Sequence, residues 1–226
     1  MPLLKLRDVL KEYPGGVRAL KGVSLDVHRG ELLTIVGPSG SGKTTLLQIM
    51  GTLDRATSGE VWIDGFDAAS ASDDELSALR ARRIGFVFQQ FYLLDGLSSV
   101  DNVAGGLLYS GLPSERRRAR AREALTRVGL GHRLGHHPNQ LSGGEKQRTA
   151  IARALVGGPS IVFADEPTGA LDTRTGASIV ELLSELNAAG TTIVVITHDT
   201  ELAASFPRQV AVRDGEIVHD DRLVAA

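Results

Sequence analysis

The sequence predicts an α/β domain in which a mostly parallel sheet is interrupted by a helical insertion. Two observations carry that expectation. Apolar runs of strand length alternate with stretches of helical periodicity, the order that builds a parallel sheet covered by helices. From about Ser98 to Leu155 the alternation stops and the pattern turns helical.

In chain order, LLKLRDV and VSLDV read as short strands, His28-Arg29-Gly30 as a turn, and LLTIVG as the next strand. TTLLQIMGTL follows as a helix, and GEVWIDG as a strand closed by an Asp-Gly turn. In DDELSALRARR, Asp73 and Asp74 suit the positive start of a helix, and IGFVFQ is a strand of the buried type. Within the insertion, Ser114 is placed to cap the helix ERRRARAREALTRVG, and GGEKQRTAIARALV is the next long helix. IVFADE returns to an apolar strand, TGASIVELLSELNAAG is a helix ending at Gly190, and TTIVVIT is another strand. RQVAVRDGEIVHDD closes as a hairpin turned at Asp214-Gly215. The chain holds no internal repeat, linker or low-complexity tract.

A length of 226 residues with 42% hydrophobic content suits one domain spanning 1–226 with a real core. The net charge of −2 gives no global pull toward nucleic acid. Cysteine is absent, so neither disulfides nor Cys-ligated metal build the fold, which suits the cytosol. MPLLKLRDVLKEY lacks a long apolar stretch, so no signal peptide is expected. The aliphatic runs, such as IVVI, fall far short of the ~18–20 residues that span a bilayer.

The first chemical signal is GPSGSGKTT. Gly37, Ser39, Gly40, Ser41, Gly42, Lys43, Thr44 and Thr45 form a G-x-x-x-x-G-K-[ST] loop between a strand and a helix. Glycines let several backbone N–H groups turn inward around phosphates, and the helix start adds positive potential. Lys43 can reach the β- and γ-phosphates, and the Thr44 hydroxyl can ligate Mg²⁺.

IVFADE puts Asp165 and Glu166 at the carboxyl end of an apolar strand, the sheet edge from which phosphate loops also emerge. Asp165 can hold Mg²⁺ through water, and Glu166, one residue further out, can polarise an attacking water. His198 ends another strand on that edge, with the γ-phosphate or Glu166 as candidate partners. Gln89, at the end of IGFVFQ, is a candidate contact for Mg²⁺ or water. Strand-end acids alone are ordinary; their company with a phosphate loop is what points to catalysis.

NQLSGGEKQR then offers a second glycine-rich helix start, a second anion site of bare N–H groups. GPSGSGKTT, FVFQQF, LSGGEKQR, IVFADEPTGALD and THD, in that order, resemble the ATP-binding cassette (ABC) ATPases over essentially the whole chain. The resemblance implies a P-loop NTPase cassette: a RecA-like, mostly parallel core, an N-terminal antiparallel β subdomain, and a helical subdomain inserted at about 95–157. It also implies two cassettes packed head to tail around two ATP. Ser142, Gly143 and Gly144 of each chain would then cap the γ-phosphate held by the other, so every site is built from halves of two chains. By position Tyr13 matches the aromatic that stacks on adenine, and Asp172, in Ala170-Leu171-Asp172, matches the loop that touches the partner chain. Glu166 and His198 are both present, so hydrolysis of ATP with Mg²⁺ is expected. Glu145 stands where many members carry Gln.

The resemblance further implies a separately encoded membrane permease, docked near the Gln89 loop and holding the cassette at the inner face of the cell membrane. Phe91, Tyr92, Leu93 and Leu94 are candidates for that surface, unless they pack beneath the helical insertion. ERRRARARE reads as a solvated helix face. GTLDRATSGEVWIDG, IGFVFQQF and ADEPTGALD look most like the lipoprotein-release, macrolide-export and cell-division cassettes. The implied work is export, lipoprotein release or mechanotransmission. Two alternatives stay open: an ATPase regulating a cell-wall hydrolase through a membrane partner, and a soluble cassette protein outside transport. The one phosphate loop, one signature and lack of a heptad run disfavour the latter.

Overall fold

The computed structural model describes residues 1–221, so the last five residues of the 1–226 span lie outside the described residues. β1 (Leu4–Tyr13) and β2 (Val17–Val27) form a long hairpin. β3 (Leu32–Val36) opens the central sheet, and α1 (Lys43–Met50) follows the glycine loop. β4 (Ser58–Ile63) and β5 (Phe66–Asp67) return beside β1, completing a four-stranded antiparallel sheet of order β2-β1-β4-β5.

The two N-terminal strands are longer than the sequence pattern suggests. β1 bulges between Leu6 and Val9, where Asp8 adopts φ 48°, so the alternation of apolar and polar residues loses step partway along. Gly59 of β4 faces this bulge: with φ 97°, a Cβ there would lie 2.5 Å from the Asp8 carbonyl oxygen. Only glycine fits.

α2 (Asp73–Arg83) has the bounds of DDELSALRARR and opens on a capping box in which Ser72 and Glu75 satisfy each other's backbone N–H. Arg80, Arg82 and Arg83 occupy its negative end. β6 (Ile84–Val87) leads into the helical stretch of α3 (Ser99–Ala104), α4 (Ser114–Arg127) and α5 (Gly143–Leu155). One expectation is corrected here. Ser114 does not cap α4; Pro113 holds the cap position and Ser114 is the first helical residue. The cap needs an extended backbone, and the Pro113 ring already supplies it at φ −64°, ψ 152°. Ala121, Ala124 and Leu125 are the buried residues of α4, while its arginines face solvent except the half-buried Arg117.

β7 (Ile161–Asp165), α6 (Thr173–Ala188), β8 (Thr192–Thr197), α7 (Thr200–Ala204), β9 (Gln209–Arg213) and β10 (Glu216–Asp220) complete the chain. The second sheet has six strands in the order β10-β9-β3-β8-β7-β6, parallel except for the terminal hairpin. Asp64-Gly65 and Asp214-Gly215 turn with positive φ at both residues, the twist a two-residue hairpin requires.

One apolar cluster fills the space between the antiparallel sheet, α1 and one face of the parallel sheet. Another packs α3, α4, α5 and α6 on the opposite face. β3 and β8 are therefore buried along their whole length, which is why they read as unbroken aliphatic runs.

Candidate active site

The glycine loop leaves β3 and enters α1 through Gly42, whose φ of 101° and 2.5 Å approach to the Ala19 carbonyl exclude any side chain. Gly37 packs as tightly, since a Cβ there would lie 2.1 Å from the Val212 carbonyl oxygen. The start of α1 has no side-chain cap and no acidic residue in its first turn, so its N–H groups are free to receive an anion. Lys43 folds back on this loop and donates to the Gly37 and Pro38 carbonyls at 2.6 and 2.7 Å. Burial lowers its pKa, while the nearby Glu166 and Asp165 carboxylates oppose that shift. Ser41 sits beneath the loop, its hydroxyl buried with no partner among the described residues.

The parallel register places three strand ends side by side: Asp165 pairs with Ile196, and Thr197 with Val36. β7 stops at Asp165 because Glu166 turns into the left-handed region at φ 46°, with its N–H donating to the Ile196 carbonyl. That turn carries the Glu166 side chain across to β8. Its Oε2 accepts from the Thr197 hydroxyl at 3.0 Å, and its Oε1 accepts from the His198 N–H at 2.9 Å. His198 Nδ1 lies 2.6 Å from the same Oε1. Burial pushes the Asp165 carboxyl above its usual range, the Glu166 charge adds to this, and Lys43 opposes it.

A cavity of about 720 Å³ joins these parts. Ser39, Gly40, Gly42, Lys43, Thr44, Thr45, Gln89, Asp165, Glu166 and His198 all line it, drawn from four separate stretches of sequence. Gln89 reaches it because Gly169 leaves room: a Cβ there would lie 2.8 Å from the Gln89 side-chain amide. The Thr44 hydroxyl, the Gln89 amide oxygen and the Asp165 carboxylate are hard oxygen donors of the kind Mg²⁺ takes. Among the described residues no cluster of three or more His, Cys, Asp or Glu makes a self-sufficient metal site, so phosphate and water oxygens would complete the shell.

Several expected residues lie elsewhere. Gly37 and Ser41 belong to the loop but do not line the cavity. Tyr13 does not line it either; its hydroxyl donates to Asp54 at 3.0 Å, and the Lys11 ammonium sits 4.8 Å from its ring centre. Ser142, Gly143 and Gly144 also stand away from it, at the start of α5. Ser142 caps that helix in a box with Glu145, whose carboxylate also accepts from Arg133 at 2.8 Å. These bonds hold the Glu145 carboxyl below its usual pKa, the Ser142 N–H being the largest cause. A Cβ on Gly144 would lie 2.5 Å from the Thr175 side chain, and one on Gly143 3.1 Å from Leu171, so the two glycines seat α5 against the start of α6. Asp172 caps α6 by accepting from the Thr175 N–H at 3.0 Å. Ser142, Gly143 and Asp172 are exposed.

Val17, Arg18, Ala19, Lys21, Asp214 and Gly215 line the cavity without having been singled out. The Asp-Gly turn of the tail hairpin was legible, but nothing in the sequence says that it folds back to the loop, where the Gly215 N–H donates to the Ser41 carbonyl at 2.9 Å. Of the loop after Gln89, Tyr92 and Leu94 are exposed whereas Phe91 and Leu93 are half-buried. Arg153 pins this loop through the Phe91 and Tyr92 carbonyls at 2.8 and 2.6 Å.

A glycine loop at a helix start, with strand-end carboxylates facing it across a cavity, defines a phosphate-loop nucleotide-binding domain. The chain belongs to the ABC transporter family, whose model matches residues 20–169. It is 51% identical, over 96% of its own length and 95% of the relative's, to the uncharacterized ABC transporter ATP-binding protein YknY of Bacillus subtilis strain 168. It is 49% identical over 99% of its length to the macrolide export ATP-binding/permease protein MacB 1/2 of Paracoccus denitrificans strain Pd 1222, of which it covers 34%. The chain thus spans about a third of the MacB relatives it matches. A dimeric structure of a post-hydrolysis state of the ATP-binding cassette MJ0796, bound to ADP and Pi, superposes with TM-score 0.86 at 46% identity, covering 96% of this chain and 97% of that one. CbiO1 from Clostridium perfringens superposes with TM-score 0.89 at 31% identity, covering 99% and 91%. This chain is therefore an ABC ATPase domain, with a MacB- and YknY-like sequence.

Proposed function

We propose that the chain binds ATP and Mg²⁺ at this cavity, pairs head to tail with a second copy, and drives a membrane permease. The observation that carries this reading is a division of labour between two parts of the chain. Lys43, Thr44, Asp165, Glu166 and His198 share one cavity, while the signature residues Ser142, Gly143 and Gly144 stand at a helix start that is no part of its lining. A second copy supplies the missing half, and the dimeric form of the MJ0796 relative supports that arrangement.

In the mechanism, Lys43 exchanges its two loop carbonyls for phosphate oxygens, and the loop and α1 N–H groups hold the rest of the triphosphate. Thr44, Gln89 and Asp165 would hold Mg²⁺, which would supply neutralisation of the phosphate charge. Glu166 accepts a hydrogen bond from water and aims it at the γ-phosphorus; the new P–O bond forms as the bond to the β–γ bridging oxygen breaks, giving ADP and phosphate. His198 contacts the γ-phosphate, as do Ser142 and Gly144 of the second copy. Tyr13 supports the adenine and Asp172 meets the partner. Closure with ATP and release after hydrolysis are the stroke passed to the permease, through the Gln89 loop and the exposed Tyr92 and Leu94. Among the described residues no helix is long and apolar enough to cross a membrane, so this reading seats the domain at the inner membrane face through its permease. MacB relatives are named as macrolide exporters, and a PvdT relative of Pseudomonas aeruginosa as a pyoverdine exporter, which supports an export or mechanotransmission role.

The test is to tag the Glu166→Gln variant, add ATP to native membranes, and identify what co-purifies. Recovery of a permease supports the reading. Recovery with ribosomes or other soluble partners, without a membrane protein, overturns it.

A further inference from the structure

Three donors grip the Glu166 carboxylate, and they differ in one respect. Two belong to His198: its backbone N–H, and its imidazole, which is exposed and free to turn toward a ligand in the cavity. The third is the hydroxyl of Thr197, which is fully buried at the end of β8. That hydroxyl has only one hydrogen, and its direction is fixed by the neighbours. The Asp199 N–H points at Thr197 Oγ1 from 3.1 Å and needs an acceptor there, so the hydroxyl proton is left for Glu166 Oε2. Strand pairing holds Thr197 in place, opposite Val36 at the mouth of the phosphate loop.

We infer that Thr197 is a positioning residue for ATP hydrolysis: it ties down Oε2 of Glu166 and thereby presents Oε1 as the oxygen that accepts from the attacking water. The inference rests on the assignment of Glu166 as the water-polarising group. Glu166 leaves β7 through a left-handed turn, so its backbone alone does not direct the side chain at the cavity. The Ile196 carbonyl anchors the main chain and the Thr197 hydroxyl anchors one carboxylate oxygen. When the His198 imidazole turns to a phosphate, the Thr197 hydroxyl is the side-chain donor that stays on the carboxylate, beside the His198 backbone N–H. Oε1, freed of the imidazole but still held by the His198 backbone N–H, then has a lone pair available to the cavity that Glu166 lines.

The experiment compares Thr197→Val, Thr197→Ser and Glu166→Gln in the purified chain, measuring kcat, KM for ATP and the thermal midpoint. Valine keeps the shape of threonine and removes the donor. The expected result is a kcat lowered roughly 10–100-fold with KM unchanged, the scale for a reacting group displaced by about 1 Å. Serine restores kcat because it keeps both hydrogen bonds. Wild-type kcat in Thr197→Val, with Glu166→Gln inactive, overturns the role of Thr197 alone. A raised KM, or a kcat that serine does not restore, assigns Thr197 to sheet structure and overturns it too. Wild-type kcat in Glu166→Gln removes the premise itself, an outcome distinct from the others.

Discussion

The Lys43 ammonium lies 2.6 Å from the Gly37 carbonyl oxygen, folded onto the loop that it serves. The loop thus carries its own cation over the place where its N–H groups converge. An incoming triphosphate must take that cation from two carbonyls, an exchange favoured because charge-assisted bonds to phosphate are the stronger ones. Lys43→Ala is expected to weaken ATP binding about 10–100-fold, the scale of one lost hydrogen bond to a charged group. Fluorescent-nucleotide titration checks this; unchanged affinity would detach Lys43 from the phosphates.

Asp165 illustrates a site kept at the expense of stability. Its folded pKa is raised, so ionising it costs the fold stability at pH above that folded value. The cost disappears as pH falls below the unfolded value of about 3.9. Asp165→Asn should therefore unfold at higher temperature than the wild type at neutral pH without nucleotide, with the gap closing toward acid. It should also lose Mg²⁺-dependent turnover. Calorimetry across pH reads the first effect and a phosphate-release assay the second.

Ser142 holds two positions at once, as the cap of α5 and as part of the proposed dimer face. Ser142→Ala should cost about 1 kcal/mol as a lost cap, a shift of about 2–4 °C for a chain of this size. If the hydroxyl also meets the partner's nucleotide, ATP-induced dimerisation of the Glu166→Gln protein should weaken further in the double variant. Size-exclusion chromatography with and without ATP separates the two effects.

Outside the cavity lining, the nearly buried Arg208 guanidinium pairs with Asp220 at 2.7 Å and Glu31 at 3.1 Å. It joins the tail hairpin to the turn ahead of β3, donating also to the Asp26 carbonyl at 2.9 Å. Arg208→Met would remove the guanidinium from this buried ion-pair network, and a loss of about 3–5 kcal/mol is expected in a denaturant titration. Because the hairpin turn at Asp214-Gly215 lines the cavity, ATP affinity should fall as well.

The candidate site residues were legible because each proposed chemistry needs a local arrangement. A phosphate loop requires glycines at fixed spacing before a helix, and a strand-end acid requires an apolar run to carry it. Those dependences are short-range, so GPSGSGKTT, IVFADE, THD and LSGGEKQR could be read one at a time. The strand alternation and its helical interruption were equally local, and α2 kept the bounds its pattern gave. Where local signals competed, reading failed: Pro113 displaced Ser114 at the α4 cap, and the Asp8 bulge hid the true length of β1.

What no local pattern contains is the grip of Thr197 on Glu166, the return of Asp214-Gly215 to the loop, or the lining contributed by Val17 and Arg18. These depend on strand order, which puts β8 between β3 and β7 and β9 on the far side of β3. Strand order is decided by burial summed over the whole sheet, not by any one segment's periodicity. The sequence determined which groups exist and what each can do. Packing alone decided which of them meet in one cavity and which, like Ser142 and Gly143, are left exposed elsewhere.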